Sequence, residues 1–168
     1  MKLLLVDDVP QYIRPFRDRL LKDEIELTVV HDLGTAWRFL HRRAELDLIV
    51  IDIALDTYEA EFAAEQSALQ DGLLQRGYGG LQMSGQALGL RLWSRRHALR
   101  FPYCYVTNHV NLWVEGLGGA DPEFGDNRMA GSLPTIIDKS SLWPDNIAER
   151  LEAARSEWVI KAWIGGDT

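Results

Sequence analysis

Short apolar runs alternate along the chain with segments whose apolar residues recur at helical spacing. Lys2 to Val6 is a compact apolar strand, and Glu26 to Val30 is a second. Between them, Ile13, Phe16, Leu20 and Leu21 share one face of a helix over about 11–22. Pro15 must fall in its first turn or bend it. Asp32 or Thr35 can cap a second helix carrying Ala36, Trp37, Phe39 and Leu40. Leu48 to Ile51, Tyr103 to Val106 and Pro134 to Ile137 complete five strands, and a last helix runs from about 145 into the 160s. Strands apolar on both faces belong in a parallel sheet covered by helices. The βαβα order makes this a doubly wound α/β fold with helices on both faces.

Composition narrows the partners more than the fold. The 168 residues make one domain, with 46% hydrophobic and 26% charged positions. A net charge of −7 with scattered basic residues argues against a DNA-binding surface. No apolar run has transmembrane length, and two aspartates directly follow the first short apolar run. A cytoplasmic protein with no membrane partner is expected. Cys104 is the single cysteine and sits in an apolar strand, where a buried thiol is ordinary.

In a doubly wound sheet the site lies at the carboxyl ends of the strands. Strand one ends in Asp7-Asp8, strand three in Asp52, strand four in Thr107-Asn108, and strand five in Asp138-Lys139. In the flavodoxin-like order 2-1-3-4-5 those four strands are neighbours, and their ends converge on one crevice. Carboxylates without histidine or cysteine make a hard oxygen site suited to Mg²⁺. An aspartate beside such a cation can accept a phosphoryl group, with a hydroxyl and an ammonium holding its oxygens. Taken singly, Asp8 is better read as a helix cap, Asp52 as a turn residue and Lys139 as a surface lysine. Four strand ends each carrying the required type outweigh those separate readings.

Leu4-Leu5-Val6-Asp7-Asp8, Leu48-Ile49-Val50-Ile51-Asp52, Val106-Thr107 and Asp138-Lys139 together resemble the signature of two-component response-regulator receiver domains. The resemblance implies a Mg²⁺ site from Asp7, Asp8, Asp52 and the backbone carbonyl of Ala54. It implies Asp52 as phosphoacceptor, Thr107 as switch hydroxyl and Lys139 as the phosphoryl-binding cation. It also implies a sensor histidine kinase or histidine phosphotransfer protein as donor and a downstream protein target. Such a domain is a signalling phosphoacceptor rather than an enzyme acting on other molecules.

The chain departs from that family in several places. The glycine expected soon after the phosphoacceptor corresponds to Gly85, which opens a helix through Leu88, Leu92 and Trp93. About 56–82 is therefore an insertion, expected as a helix-containing flap beside the site, with helix formers from Tyr58 to Leu74 and a hinge-like Gly77-Tyr78-Gly79-Gly80. The fourth-helix region is short, Val110 to Glu115, and a glycine-rich loop follows over about 116–131. Asn108 and His109 follow Thr107, where a small residue is usual, and both are expected to modulate the site. Ile136 stands where the family has a switch aromatic, and Ser140 where it has proline. Signalling is accordingly expected through residues 109–133 and the last helix. There Trp158, Val159, Trp163 and Ile164 are either exposed anchors or buried beneath the glycine-rich loop. A pseudo-receiver, a binding module regulated by a partner without phosphorylation, is the alternative function.

Overall fold

A computed structural model describes residues 1–9, 14–42, 45–117, 124 and 130–165. The strands are β1 (Lys2–Val6), β2 (Glu26–Val30), β3 (Leu48–Ile51), β4 (Ala54–Leu55), β5 (Met83–Ser84), β6 (Tyr103–Thr107), β7 (Ser132–Leu133) and β8 (Ile136–Asp138). The helices are α1 (Arg14–Lys22), α2 (Leu33–Arg42), α3 (Ala63–Gln75), α4 (Gln86–Ser94), α5 (Arg96–Leu99) and α6 (Ile147–Ile160). The central sheet has the order β2-β1-β3-β6-β8-β7, parallel throughout except for β7. Five parallel strands thus stand in the expected relative order, but the sheet has six strands rather than five. The added edge strand arises because Pro134-Thr135 forms the turn of a tight β7–β8 hairpin instead of opening a strand. Proline presets the turn dihedral and lacks the N–H that a ladder needs.

Alternation along the strands sorts side chains to the two faces. Leu4, Val6, Ile49, Ile51, Tyr103, Tyr105 and Ile136 join the larger core, beneath α2, α3 and α4. Leu3, Leu5, Val50, Cys104, Val106 and Ile137 face the other way, toward Leu20 of α1 and Ile147, Leu151 and Ala154 of α6. Asp32 caps α2, its carboxylate accepting the Thr35 N–H at 2.6 Å and the Thr35 hydroxyl at 2.9 Å.

The inserted segment is part of the core and not an overlying flap. Its base is pinned by the two-stranded antiparallel β4–β5 ladder, so the chain leaves and returns at one place. Phe62, Leu69 and Leu73 are each 0% exposed within the larger core. Arg91 of α4 clamps the segment, with its Nε and Nη2 donating to Glu65 at 2.6 and 2.8 Å. The same guanidinium lies 3.8 Å from the Phe62 ring centroid.

The last helix also differs from one of the two expectations. Trp158 and Trp163 are buried against Trp93 and against Phe124, the latter from the glycine-rich region; Val159 and Ile160 are exposed. Burial of the indoles, and not their exposure as anchors, is therefore what the fold adopts. Val110–Leu112 is a single 3₁₀ turn. Most of the glycine-rich loop, and Ile13 of the first helical pattern, lie outside the described residues. Among the described residues no helix is long and apolar enough to cross a membrane.

Candidate functional site

Backbone pairing continues past the formal strand ends and fixes the first two acidic positions. The Asp7 N–H donates to Val30 at 3.0 Å, and the Asp52 N–H donates to Val6 at 2.9 Å. Asp7 is 0% exposed and Asp52 6%. Burying two carboxylates requires compensation, and Lys139 supplies it. Its Nζ donates to Asp7 Oδ2 at 2.8 Å and to Asp52 Oδ2 at 2.7 Å. A 3₁₀ turn from Lys139 to Ser141 fixes the lysine backbone, with Asp138 accepting from the Ser140 N–H and hydroxyl.

The other oxygens behave differently. Asp7 Oδ1 accepts the Val9 N–H at 2.8 Å, and Asp8 Oδ2 accepts the Asp56 N–H at 2.8 Å. Asp52 Oδ1 is buried and has no hydrogen-bond partner among the described residues. Asp7, Asp8 and Asp52 each offer one oxygen, and these three atoms lie within 4.8 Å of one another. A hard divalent cation fits this donor set: every donor is oxygen, the carboxylates outnumber the ammonium, and one buried lone-pair atom lacks a partner.

Electrostatics agree with the geometry. Burial pushes the Asp8 carboxyl above its usual range; the Asp56 N–H opposes this, and the charges of Asp56, Asp52 and Asp7 add to it. Burial alone would lower the Lys139 ammonium, but the charge and hydrogen bond of Asp52, followed by those of Asp7, carry it above the ordinary lysine value.

A pocket of about 200 Å³ opens over this group, lined by Asp8, Val9, Asp52, Ala54, Asp56, Asn108 and His109. Of the residues singled out in the sequence, Asp7, Asp8, Asp52 and Lys139 come together, and Ala54, Asn108 and His109 line the pocket above them. Thr107 is fully buried, and its hydroxyl accepts the His109 N–H at 3.0 Å. Asp56, which no motif in the sequence singles out, also borders the pocket, and its N–H holds Asp8. Its position two residues beyond Ala54 was the available signal.

Gly85 explains how α4 approaches the site. A Cβ there would lie 1.8 Å from the Asp52 carbonyl oxygen, and the Gly85 N–H donates to Ile53 at 2.8 Å. Only glycine permits that contact between the start of α4 and the backbone of the central aspartate.

No family profile and no curated protein matches the chain. Among solved structures, a chain described as a yeast Spc42 trimeric coiled-coil segment (amino acids 181–211) fused to another structure superposes with a TM-score of 0.58. It is 15% identical, and the match covers 99% of this chain and 82% of that one. A short coiled coil cannot underlie an overlay of that extent, so the likeness falls on the fused unit. At this identity it speaks for the fold alone.

Proposed function

We propose that this chain is an atypical receiver domain on a flavodoxin-like, doubly wound sheet, with Asp52 as its phosphoacceptor. The observation that carries this reading is the Lys139 ammonium bridging buried Asp7 and Asp52, with Asp52 Oδ1 left unpartnered among the described residues beside a third carboxylate. The phosphodonor is a histidine kinase or a histidine phosphotransfer protein, and the modified domain switches its contact with a downstream protein in the cytoplasm. Asp7, Asp8, Asp52 and the Ala54 carbonyl would hold Mg²⁺, which supplies charge neutralisation between the carboxylate nucleophile and the phosphoryl oxygens.

The chain's own groups have separable tasks. An Asp52 carboxylate oxygen attacks phosphorus, the P–N bond to the donor imidazole breaks, and the imidazole recovers a proton. Lys139, already within hydrogen-bond distance of Asp52, counters the charge of the transferred group as a compact ammonium. Thr107 would serve as the switch hydroxyl by exchanging its bond from the His109 amide for one to a phosphoryl oxygen. That exchange would pull on the Asn108–His109 segment at the pocket mouth.

The test is labelling by acetyl phosphate with and without Mg²⁺. Wild type should gain an acid-stable, hydroxylamine-labile phosphoryl group only with the metal, and Asp52→Asn should gain none. Full labelling of Asp52→Asn would sink the assignment. One observation favours the alternative pseudo-receiver: Ile136, at the family's aromatic switch position, is 0% exposed and cannot swing as an aromatic does. A properly folded wild type that binds Mg²⁺ yet takes no label from any phosphodonor would select that reading.

A further inference from the structure

Position 66 interrupts an apolar stripe. Phe62, Leu69 and Leu73 bury one face of the inserted helix, and Gln66 stands between them at helical spacing, 7% exposed. Burying an amide costs free energy unless its atoms find partners. Gln66 Oε1 has one, the Ser84 N–H at 2.8 Å. Gln66 Nε2 is buried and has none among the described residues. An apolar side chain of similar length would fill the stripe without that orphan donor, so the task of the residue lies in Oε1.

The bond to Ser84 reaches the acidic site through one backbone pair. Ser84 of β5 stands opposite Ala54 of β4. The adjacent Gly85 N–H donates to Ile53 at 2.8 Å. Hydrogen-bonded and non-hydrogen-bonded pairs alternate in an antiparallel ladder, so Ala54 and Ser84 direct their backbone groups away from each other. Ser84 turns its N–H to α3, and the Ala54 carbonyl takes the opposite edge, where the residue borders the acidic pocket. The chain on either side of β4 is held elsewhere: the Asp52 N–H donates to Val6 at 2.9 Å and the Asp56 N–H to Asp8 Oδ2 at 2.8 Å. The lateral position of Ala54 is left to β5, and the Gln66 bond ties β5 to α3.

We propose that Gln66 is a positioning residue for the metal site: through Ser84 it sets where the Ala54 carbonyl stands, and the inserted segment thereby tunes affinity and selectivity for Mg²⁺. This role rests on the Mg²⁺ site proposed above and not on phosphorylation of Asp52. Mg²⁺ demands a near-octahedral oxygen shell, whereas Ca²⁺ accepts irregular ones. A displaced carbonyl therefore penalises Mg²⁺ more than Ca²⁺.

The test is calorimetric titration of the full chain with Mg²⁺ and with Ca²⁺, without phosphodonor. Gln66→Met is near-isosteric and removes Oε1. It should weaken Mg²⁺ binding about tenfold, the scale for groups that orient metal ligands, and weaken Ca²⁺ binding distinctly less. Leu69→Ala, on the same face of α3, removes packing alone; it should lower the melting temperature and leave the preference for Mg²⁺ over Ca²⁺ unchanged. Because Gln66→Met can itself perturb folding, NMR of the unaltered chain provides a second readout. The Ala54 carbonyl-carbon, Ser84 amide and Gln66 side-chain amide signals should move together as Mg²⁺ is added, since coupling between linked groups is reciprocal. Unchanged Mg²⁺ affinity in Gln66→Met, the same loss of preference in Leu69→Ala, or silent Ser84 and Gln66 signals while Ala54 moves would overturn the role and leave the metal site standing. A wild type that binds no Mg²⁺ would overturn the site and the role with it.

Discussion

Replacing Lys139 by Met removes the only ammonium bonded to Asp7 and Asp52 among the described residues while retaining an unbranched apolar stem. The lysine side chain is 11% exposed, and those of Asp7 and Asp52 are 0% and 9%. Solvent therefore screens the triad weakly, and a deep-pair magnitude applies in place of the surface value. Removing one partner of a buried ion pair costs about 3–5 kcal/mol, a large part of the ~5–15 kcal/mol that stabilises a domain. For a chain of this size the melting temperature should fall by roughly 6–20 °C. Mg²⁺ should restore part of the loss, since the vacated carboxylates remain as oxygen donors; at a hundredfold its Kd it returns about 2.7 kcal/mol. The pH dependence has a definite sign. Lys139 is raised above its ordinary 10.5, so its contribution is complete below that value and disappears as pH rises through the higher folded-state value. Wild type should thus show an alkaline loss of stability above pH 10.5 that Lys139→Met lacks. Differential scanning calorimetry in chelator and in Mg²⁺, at neutral and alkaline pH, measures all of this. An unchanged melting temperature in chelator would show that the bridge contributes little, and the electrostatic account of the site would fail.

Asp8→Ala should reduce acetyl-phosphate labelling nearly as much as Asp52→Asn, while excess Mg²⁺ partly rescues only the former. Phe62→Ala should cost about 3–5 kcal/mol in urea unfolding, because that ring lies in the core and under Arg91; a cost below 1 kcal/mol would return the insertion to a peripheral role. Gly85→Ala should weaken Mg²⁺ binding by calorimetry, since the new methyl displaces the Asp52 backbone, and unaltered affinity would contradict that geometry. Burial, then the hydrogen bond and charge of Asp32, push the Glu59 carboxyl above its ordinary 4.5, so Glu59 stabilises when protonated and costs stability once ionised. Glu59→Gln should therefore raise the melting temperature at pH 7, with the gain shrinking as pH falls toward 4.5 and gone well below it; an equal gain at pH 3 would exclude a charge effect.

The acidic and cationic groups were legible in the sequence because each follows an apolar run, and parallel strands deliver their carboxyl ends to one side of a sheet. Asp7, Asp8, Asp52 and Lys139 needed only the order of the strands to be brought together. What escaped local pattern was governed by contacts distant in sequence. Phe62, Leu69 and Leu73 have near-helical spacing either in a flap or in a core helix. Their burial depends on the larger core built from elements distant in sequence, with Arg91, 26 residues beyond Glu65, closing over Phe62. Trp158 and Trp163 occupy different stripes of an ideal helix, and only the end of α6 at Ile160 lets the chain turn back and bury both. The Trp163 N–H reaches the Trp158 carbonyl at 3.2 Å just after Ala162 adopts a φ of +50°. No hydrophobic periodicity carries that reversal, because periodicity assumes the helix continues. Pro134 illustrates the same limit at a strand. Its neighbours Thr135, Ile136 and Ile137 read as a strand, but the proline ring selects a turn, and that turn adds β7 to the edge of the sheet. The hairpin so formed includes β8, which ends at Asp138, directly before Lys139. The departure from the five-strand pattern therefore sits next to the cation on which the proposed chemistry depends.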